Sequence, residues 1–379
     1  MIKKILVLLV LAGLFFSDLT VTALEIEMVV PGPATISHVF FTDLERGVVL
    51  GTRPKGKVGS ALVYTEDGGI TWKDASIDVD ISDNVGEGLW MSNDKVGWAV
   101  TVCLHPRQQI LLKTEDGGKT WKRQNAPALE KVWAITGIWF DSEGKKGWIN
   151  TGVGPIFMTK NGGKNWIPVN VYDYEGSLIK GDKPLPTNFE HYGMYVFSFE
   201  HLILCGAGGA FLETNDAGLT WKATQFPLNL PSNPSDPPGM LTAIHFTGDG
   251  KNGWAVGNDG DYVIAPTTHA GWKNPVILHT TDGGKTWQRQ NSEVISALTD
   301  VWALSEKEAW FCGTRPVAIS EKMPGVLQHT TDGGKTWLDE HPGTNSLRKL
   351  FFLDPQHGWA VGGWAGGIEA ESVLLRITP

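Results

Sequence analysis

A short pattern that recurs six times constrains the architecture of this chain more than any other feature. The eight residues Thr65–Trp72 read TEDGGITW, and the pattern returns at 114–121, 159–166, 214–221, 280–287 and 330–337. Successive copies start 45 to 66 residues apart, while the pattern itself keeps its length. The variation in spacing must therefore lie in loops outside the pattern. A period of this size is typical of repeat architectures.

Two further motifs accompany the eight-residue box. A Gly-Trp segment precedes it, as in Gly97-Trp98 and Gly253-Trp254, and the complete or degenerate copies number seven. A short apolar segment such as Leu89-Trp90-Met91 lies upstream of each Gly-Trp segment. With one strand entering the box and one leaving it, each unit predicts four short strands separated by Gly-, Asp- and Lys-rich turns. Seven such units predict an all-β fold, a seven-bladed β-propeller with Asp-box turns.

The two ends of the chain are predicted to meet in the last blade. The seventh unit stops after one strand, 372–377, and has no box. Residues 24–30 alternate apolar and polar side chains as a strand does, so we expect them to supply the missing outer strand and close the ring. Residues 24–379 then form a single propeller domain.

Residues 1–23 have the pattern of a secretory signal peptide. Two lysines precede a dozen apolar residues, and a small-residue site ends at Ala23. We expect cleavage there and export of the protein to a periplasmic, lumenal or extracellular space. The alternative is an uncleaved anchor, for which the apolar run is short.

The box has a structural interpretation of its own. A carboxylate or amide oxygen at its third position can accept hydrogen bonds from N–H groups within the turn, the glycines adopt positive φ, and the tryptophan packs between sheets. We therefore interpret these residues as structural rather than ligand-binding: Asp67, Asp116, Asn161, Asp216, Asp282 and Asp332.

These motifs resemble the Asp-box, or BNR, repeat of sialidases, sortilin-type receptors and xyloglucan hydrolases. The combination of Gly-Trp-Ala-Val-Gly with Thr-x-Asp-Gly-Gly-x-Thr-Trp is most similar to exported propellers related to the photosystem II stability and assembly factor. The resemblance implies a binding face opposite the Asp-box turns, and an arginine-rich surface that engages a membrane-protein client. The arginines of this chain are fewer and more scattered than that pattern implies.

The face opposite the boxes carries the candidate partner-binding residues. The connections between second and third strands and between blades reach this face, and they vary most in length. Arginines there could clamp carboxylates, and exposed tryptophans could stack on a sugar or anchor a protein. The candidates are Arg53, Arg107, Arg315, Arg348, Trp133, Trp272 and Trp364.

Several other functions find little support. The net charge of −9 argues against a nucleic-acid partner, and no metal-ligand spacing or phosphate-binding glycine loop is present, so we expect neither metal nor cofactor. A sialidase would need a tyrosine nucleophile beside a glutamate, and Tyr195 with Glu200 matches this poorly. Glu87 and Asp300, near the starts of inner strands, are the one candidate acid–base pair.

The sequence therefore predicts an exported, monomeric, non-catalytic propeller that binds a protein client. An envelope or photosynthetic membrane-complex subunit, whose assembly or stability the propeller supports, fits this prediction. The alternative is a carbohydrate-binding protein or glycoside hydrolase that acts through the loop-rich face on a glycan.

Overall fold

The described part of the chain consists of strands and turns, with no helix. The structure is a computed structural model, and it describes residues 23–25, 35–52, 61–81, 84–171, 179–180, 183–184, 190–228, 239–264, 270–291, 296–315, 324–364 and 371–378. Within these residues, no helix has the length and apolar character needed to cross a membrane.

The strands of the first four blades run outward from the centre in chain order. Blade 1 contains β2 (Thr35–Phe41), β3 (Gly47–Thr52), β4 (Leu62–Thr65) and β5 (Lys73–Asp74). Blade 2 contains β7 (Val85–Met91), β8 (Gly97–Leu104), β9 (Arg107–Thr114) and β10 (Thr120–Arg123), with β6 (Ser76–Ile77) at its edge. Blade 3 contains β11 (Gly137–Phe140), β12 (Gly147–Asn150), β13 (Ile156–Thr159) and β14 (Ile167–Val169). Blade 4 contains β17 (His191–Val196), β18 (Leu202–Gly206), β19 (Ala210–Thr214) and β20 (Lys222–Gln225), and a small hairpin, β15 (Ile179–Lys180) and β16 (Lys183–Pro184), precedes it.

The last three blades repeat this order. Blade 5 contains β21 (Met240–Phe246), β22 (Gly253–Ile264), β23 (Ala270–Thr280) and β24 (Gln288–Gln290). Blade 6 contains β25 (Ala297–Ala303), β26 (Ala309–Thr314), β27 (Gly325–Thr330) and β28 (Leu338–Asp339). Blade 7 contains β29 (Leu347–Asp354), β30 (His357–Trp364), β31 (Glu371–Thr378) and β1 (Ala23–Glu25). The seven-bladed propeller predicted from the repeats is confirmed.

The N-terminal strand closes the ring as predicted, although it begins one residue earlier. β1 pairs antiparallel with β31, and Ala23 lies opposite Thr378. Since antiparallel pairing covers the open edge of β31, the last blade reaches four strands like the others. Blade 2 gains a fifth strand by a different route, because β6 leaves blade 1 and pairs parallel with β10.

The core lies between adjacent blades. Tryptophans of the Gly-Trp segments are fully or almost fully buried, and two of them stack on the inner strand of the following blade. Trp98 of blade 2 lies 3.6 Å from Phe140 of blade 3, and Trp359 of blade 7 lies 3.9 Å from Phe41 of blade 1 (ring centroids). The same packing therefore joins the last blade to the first.

Each Asp-box ties its turn together through one threonine and one carboxylate. In blade 2, Thr114 Oγ1 donates to Asp116 Oδ1 (2.9 Å) and accepts from Gly118 N–H (3.0 Å). Asp116 Oδ1 also accepts from Thr120 N–H (2.9 Å). Gly117 has a φ of 77° and donates its N–H to the carbonyl of Lys95 in the turn after the inner strand (2.9 Å). A left-handed φ of this kind favours glycine.

The corresponding bonds are present in the other five boxes. The third residue of each box accepts from the hydroxyl of the box's first threonine and from the backbone N–H four residues later, and Asn161 does so with its amide oxygen. Every box also donates a backbone N–H to the turn after the inner strand, at 2.8 to 2.9 Å. The boxes and these turns therefore share one face, the Asp-box face, and the opposite loop face lies at the start of each inner strand.

Replacing Thr114 by valine should destabilise the propeller. The change removes the hydroxyl but keeps the shape, and leaves the Gly118 N–H without its acceptor, so we expect a loss of about 1–3 kcal/mol in the free energy of unfolding. Urea denaturation measures it. Thr120→Val removes an exposed hydroxyl of the same box and is the matched control; equal effects of the two changes would contradict the buried role of Thr114.

Deleting residues 23–25 should weaken ring closure. The deletion exposes the edge of β31, so we expect a lower melting temperature and more aggregation than in a variant that lacks only residues 2–20. Calorimetry and light scattering give the two readouts. If the two deletions behaved alike, β1 would contribute nothing to closure.

Candidate functional site: the central cavity and the loop face

Seven inner strands surround a central cavity of about 380 Å³. They are β2, β7, β11, β17, β21, β25 and β29, and each contributes residues at matching register. Because each inner strand ends at the Asp-box face, positions along it mark depth in the cavity. Two levels of side chains dominate the lining.

The level nearer the Asp-box face is aromatic in all seven blades. We call these residues the aromatic girdle: Phe40, Trp90, Trp139, Tyr195, His245, Trp302 and Phe351. Contacts between neighbours run almost around the ring, with centroid distances from 4.2 Å for His245–Trp302 to 6.3 Å for Trp90–Trp139. The girdle therefore lines this end of the cavity with ring surfaces.

The next level toward the loop face is divided into two halves. Blades 2 to 5 contribute the small residues Gly88, Gly137, Gly193 and Ala243, which we call the small-residue arc. Blades 6, 7 and 1 contribute Asp300, Lys349 and His38, which we call the polar arc. At this level, one side of the cavity carries nothing larger than a methyl group, and the other side can form hydrogen bonds.

Asp300 and Lys349 form an ion pair across two blades. Lys349 Nζ lies 3.4 Å from Asp300 Oδ1, and Asp300 Oδ2 accepts from the Leu350 N–H at 2.8 Å. Burial raises the pKa of Asp300, whereas the Lys349 ammonium and the Leu350 N–H lower it. The carboxylate is therefore positioned by backbone and side chain together.

Hydrogen bonds determine which nitrogen of each cavity histidine carries the proton. The single hydroxyl proton of Ser37 goes to the Leu50 carbonyl, so His38 Nδ1 must donate to Ser37 Oγ (3.1 Å) and His38 Nε2 is left as an acceptor. His245 Nδ1 accepts the Ala303 N–H (3.1 Å), so His245 Nε2 carries the proton. Burial, with smaller effects of Lys349 and Arg348, lowers the pKa of His38 to about 3, and burial alone lowers that of His245 to about 3.

On the loop face, Arg107 and Trp133 form one preorganised unit. The Arg107 guanidinium lies 4.2 Å from the centre of the Trp133 ring, and both its Nε and Nη2 donate to the Trp133 carbonyl. The indole is 68% exposed. Arg107 also lies 3.8 Å from Glu87, whose carboxylate accepts the Ile135 N–H. The cation and the aromatic ring are therefore held together at the surface.

The remaining loop-face candidates differ in availability. Arg315 is bound in an ion pair with Asp339. Arg348 is exposed at the bulge of β29, and no hydrogen bond or ion pair holds its guanidinium within the described part of the chain. Arg53 lies outside the described residues, as do the side chains of Trp272 and Trp364.

Three of these residues lie in strands rather than in the loops expected from sequence. Trp272 belongs to β23, which pairs with β22 far beyond the predicted end of the blade, and Trp364 ends β30. Arg107 begins β9, directly after the two-residue connection His105-Pro106. The loop interpretation was wrong here because backbone pairing extends through residues whose polar and glycine-rich composition is typical of turns.

Sequence reasoning located part of the cavity. Trp90, Trp139 and Trp302 were placed on inner strands, as observed, but the girdle as a ring and His38 were missed. The sequence signal for the girdle is the middle residue of each apolar triplet, which is aromatic in every blade. In blade 4 the triplet in register is Met194-Tyr195-Val196, one residue before the segment predicted from sequence.

Glu87 and Asp300 do not form an acid–base pair across the cavity, since Asp300 lines it and Glu87 does not. Within the described residues, no three His, Cys, Asp or Glu side chains cluster as metal ligands would.

Comparisons with known proteins agree with this geometry. The family model described as photosynthesis system II assembly factor YCF48 matches residues 21–180, and the BNR/Asp-box repeat model matches residues 278–289, which contain the fifth box. The chain is a seven-bladed β-propeller with Asp-box turns, and its N-terminal part is similar to the photosystem II assembly-factor family. The resemblance stated from the motifs is thereby confirmed.

Solved structures share the propeller fold. "YCF48 bound to D1 peptide" is 20% identical with a TM-score of 0.62, and the match covers 96% of this chain and 98% of that one. YCF48 from Cyanidioschyzon merolae is 19% identical with a TM-score of 0.60, over 93% and 98% of the two chains. The extracellular domain of a hybrid two-component system from B. thetaiotaomicron, BT3049, is 12% identical with a TM-score of 0.53, over 91% of this chain and 40% of that one. No curated protein matches the sequence.

The buried histidines of the propeller should make it acid-sensitive. Between pH 6.5 and about 3, His38 and His245 are protonated in the unfolded chain but stay neutral in the folded protein. The free energy of unfolding therefore falls as the pH falls through this window, by up to about 1.4 kcal/mol per pH unit for each imidazole. His245→Asn keeps an acceptor for the Ala303 N–H and should flatten the decline. Denaturation at a series of pH values measures this decline, and His341→Asn, at an exposed site, is the control. Equal slopes of unfolding free energy against pH in the two variants would rule out His245 as a source of the acid sensitivity.

Proposed function

We propose that this propeller is an exported, non-catalytic factor that binds a segment of a membrane-protein client on its loop face. The observation that carries the proposal is the Arg107–Trp133 unit, in which a cation and an exposed indole are already held in position. Preorganised aromatic and arginine side chains are the residues that most often dominate binding energy at protein interfaces.

The three candidate arginines that the structure describes lie in one sector of the ring. Arg348 belongs to blade 7 and Arg107 to blade 2, with blade 1 between them. Arg315, in blade 6, extends the sector, but Asp339 pairs with it more closely than Glu87 does with Arg107 (3.8 Å). Because the whole chain carries a net charge of −9, a local cationic sector favours a client segment that presents carboxylates. Arg348 and the Arg107–Trp133 unit are therefore the principal contacts, and Arg315 is secondary.

The comparisons support the class of client. A structural relative with the same fold is described as bound to a D1 peptide, and the assembly-factor family model matches the N-terminal part of this chain. Glu87 and Asp300, the candidate acid and base, lie in separate environments, which disfavours catalysis by this pair. Export through the N-terminal signal would bring the propeller to the compartment where such clients expose their soluble segments.

Binding of a fluorescently labelled D1 peptide tests the proposal. Arg348→Ala and Trp133→Ala should each weaken binding about tenfold in fluorescence anisotropy, since truncating an interface anchor costs more than about 1 kcal/mol. Lys307→Ala removes a lysine of the Asp-box face and should leave the affinity unchanged. Absence of binding by the unmodified protein would overturn a D1-type client, and unchanged affinity in both loop-face variants would overturn the surface.

A further inference from the structure

The polar arc of the central cavity has no part in the proposed client surface. His38, Asp300 and Lys349 line the cavity from three consecutive blades, whereas the corresponding positions of the other four blades carry only glycine or alanine. The open space therefore lies opposite a continuous set of hydrogen-bonding groups. Such an arrangement suits a small ligand that fills the bare half and contacts the polar half.

Donors and acceptors alternate within the polar arc. The Lys349 ammonium has three N–H donors, and within the described residues its hydrogen-bond partner is Asp300 Oδ1 at 3.4 Å. His38 Nε2 offers a lone pair, because Nδ1 carries the proton that Ser37 accepts. One level nearer the Asp-box face, His245 Nε2 offers a donor. A hydroxyl group both donates and accepts, so vicinal hydroxyls match this alternation.

The charges of the arc select against an ionic ligand. Lys349 and Asp300 neutralise each other, and both imidazoles stay uncharged because burial lowers their pKa values to about 3. Asp300 is held by the Leu350 N–H and lies within the cavity wall, so an anion at Lys349 would approach a fixed carboxylate. An uncharged polar ligand meets no such repulsion.

The aromatic girdle supplies the second half of the recognition. Three indoles, two phenyl rings, a phenol and an imidazole surround the end of the cavity nearer the Asp-box face, and most of them are only partly buried. Ring faces bind the C–H surfaces of saccharides, while a polar wall binds the hydroxyls. The cavity volume of about 380 Å³ lies at the small end of the range of small-molecule sites.

We propose that the central cavity is a binding site for an uncharged mono- or disaccharide, held between the polar arc and the aromatic girdle. This site is separate from the Arg107–Trp133 unit of the loop face. Asp300 and His38 accept hydrogen bonds from its hydroxyls, Lys349 donates to them, and the small-residue arc provides the space.

Calorimetric titration of the full chain with matched sugars tests the proposal. The probes are glucose with glucuronate, galactose with galacturonate, and the disaccharides cellobiose and maltose. We expect at least one neutral sugar to bind, with a change in tryptophan fluorescence from the girdle, and its acidic counterpart to bind more weakly. Lys349→Gln and Asp300→Asn, which preserve the shape of the wall, should each weaken binding about tenfold, as expected for losing a charge-assisted hydrogen bond.

Trp133→Ala serves as the control because it removes the exposed indole of the loop face and leaves the cavity intact. Melting temperatures of all variants verify folding, and the unmodified protein tests the site even if one variant is unstable. Failure of every neutral sugar to bind the unmodified protein would overturn the proposal. Tighter binding of the acidic sugars would overturn it too, as would sugar binding that is lost in Trp133→Ala but retained in Lys349→Gln.

Discussion

The hydrogen bond from each Asp-box to the turn after the inner strand is the interaction on which the rest of this structure depends. It joins the outer half of a blade to its inner half at the Asp-box face. The donor is the backbone N–H of a box residue with a positive φ. Five boxes place glycine there; the fourth uses Ala217 at a φ of 59°. Because six blades share this bond, their inner strands end at the same depth. Blade 7 has no box and takes its outer strand from the N terminus instead.

Because the inner strands end at the same depth, the seven strands together line one cavity. Residues at the same register in different blades become neighbours around the axis, as the successive contacts of the aromatic girdle show. The scaffold is nearly symmetric, but its inner surface is not, since small residues occupy four blades and His38, Asp300 and Lys349 the other three. Repetition supplies the frame, and departures from repetition supply sites with distinct chemistry.

The loop face shows the same division between frame and site. Arg107 and Trp133 are far apart in the repeat pattern, yet the guanidinium stacks on the indole and binds its carbonyl. Arg315, equally prominent in sequence, forms an ion pair with Asp339 on the outer strand of its own blade. Two arginines that look alike in a list of loop residues thus differ in what they can offer a partner. The difference arises from which side chain each one meets after folding.

Local chemistry, readable in the sequence, determined the blades, their number, the strand order and the closure by residues near the N terminus. Each depends on short-range patterns: box spacing, alternation of apolar residues, and turn glycines that need positive φ. The tertiary structure alone decided that Trp272 and Arg107 lie in strands, that Glu87 turns away from the cavity lined by Asp300, and that His38 faces it. The strand placement of Trp272 and Arg107 depends on hairpin pairing, with Tyr262 opposite Trp272 and Leu104 opposite Arg107, through residues whose composition is typical of turns. The cavity lining depends on the approach of blades 6, 7 and 1 around the axis. Contacts around the axis join blades far apart in sequence and form only once the ring has closed, so no local pattern encodes them.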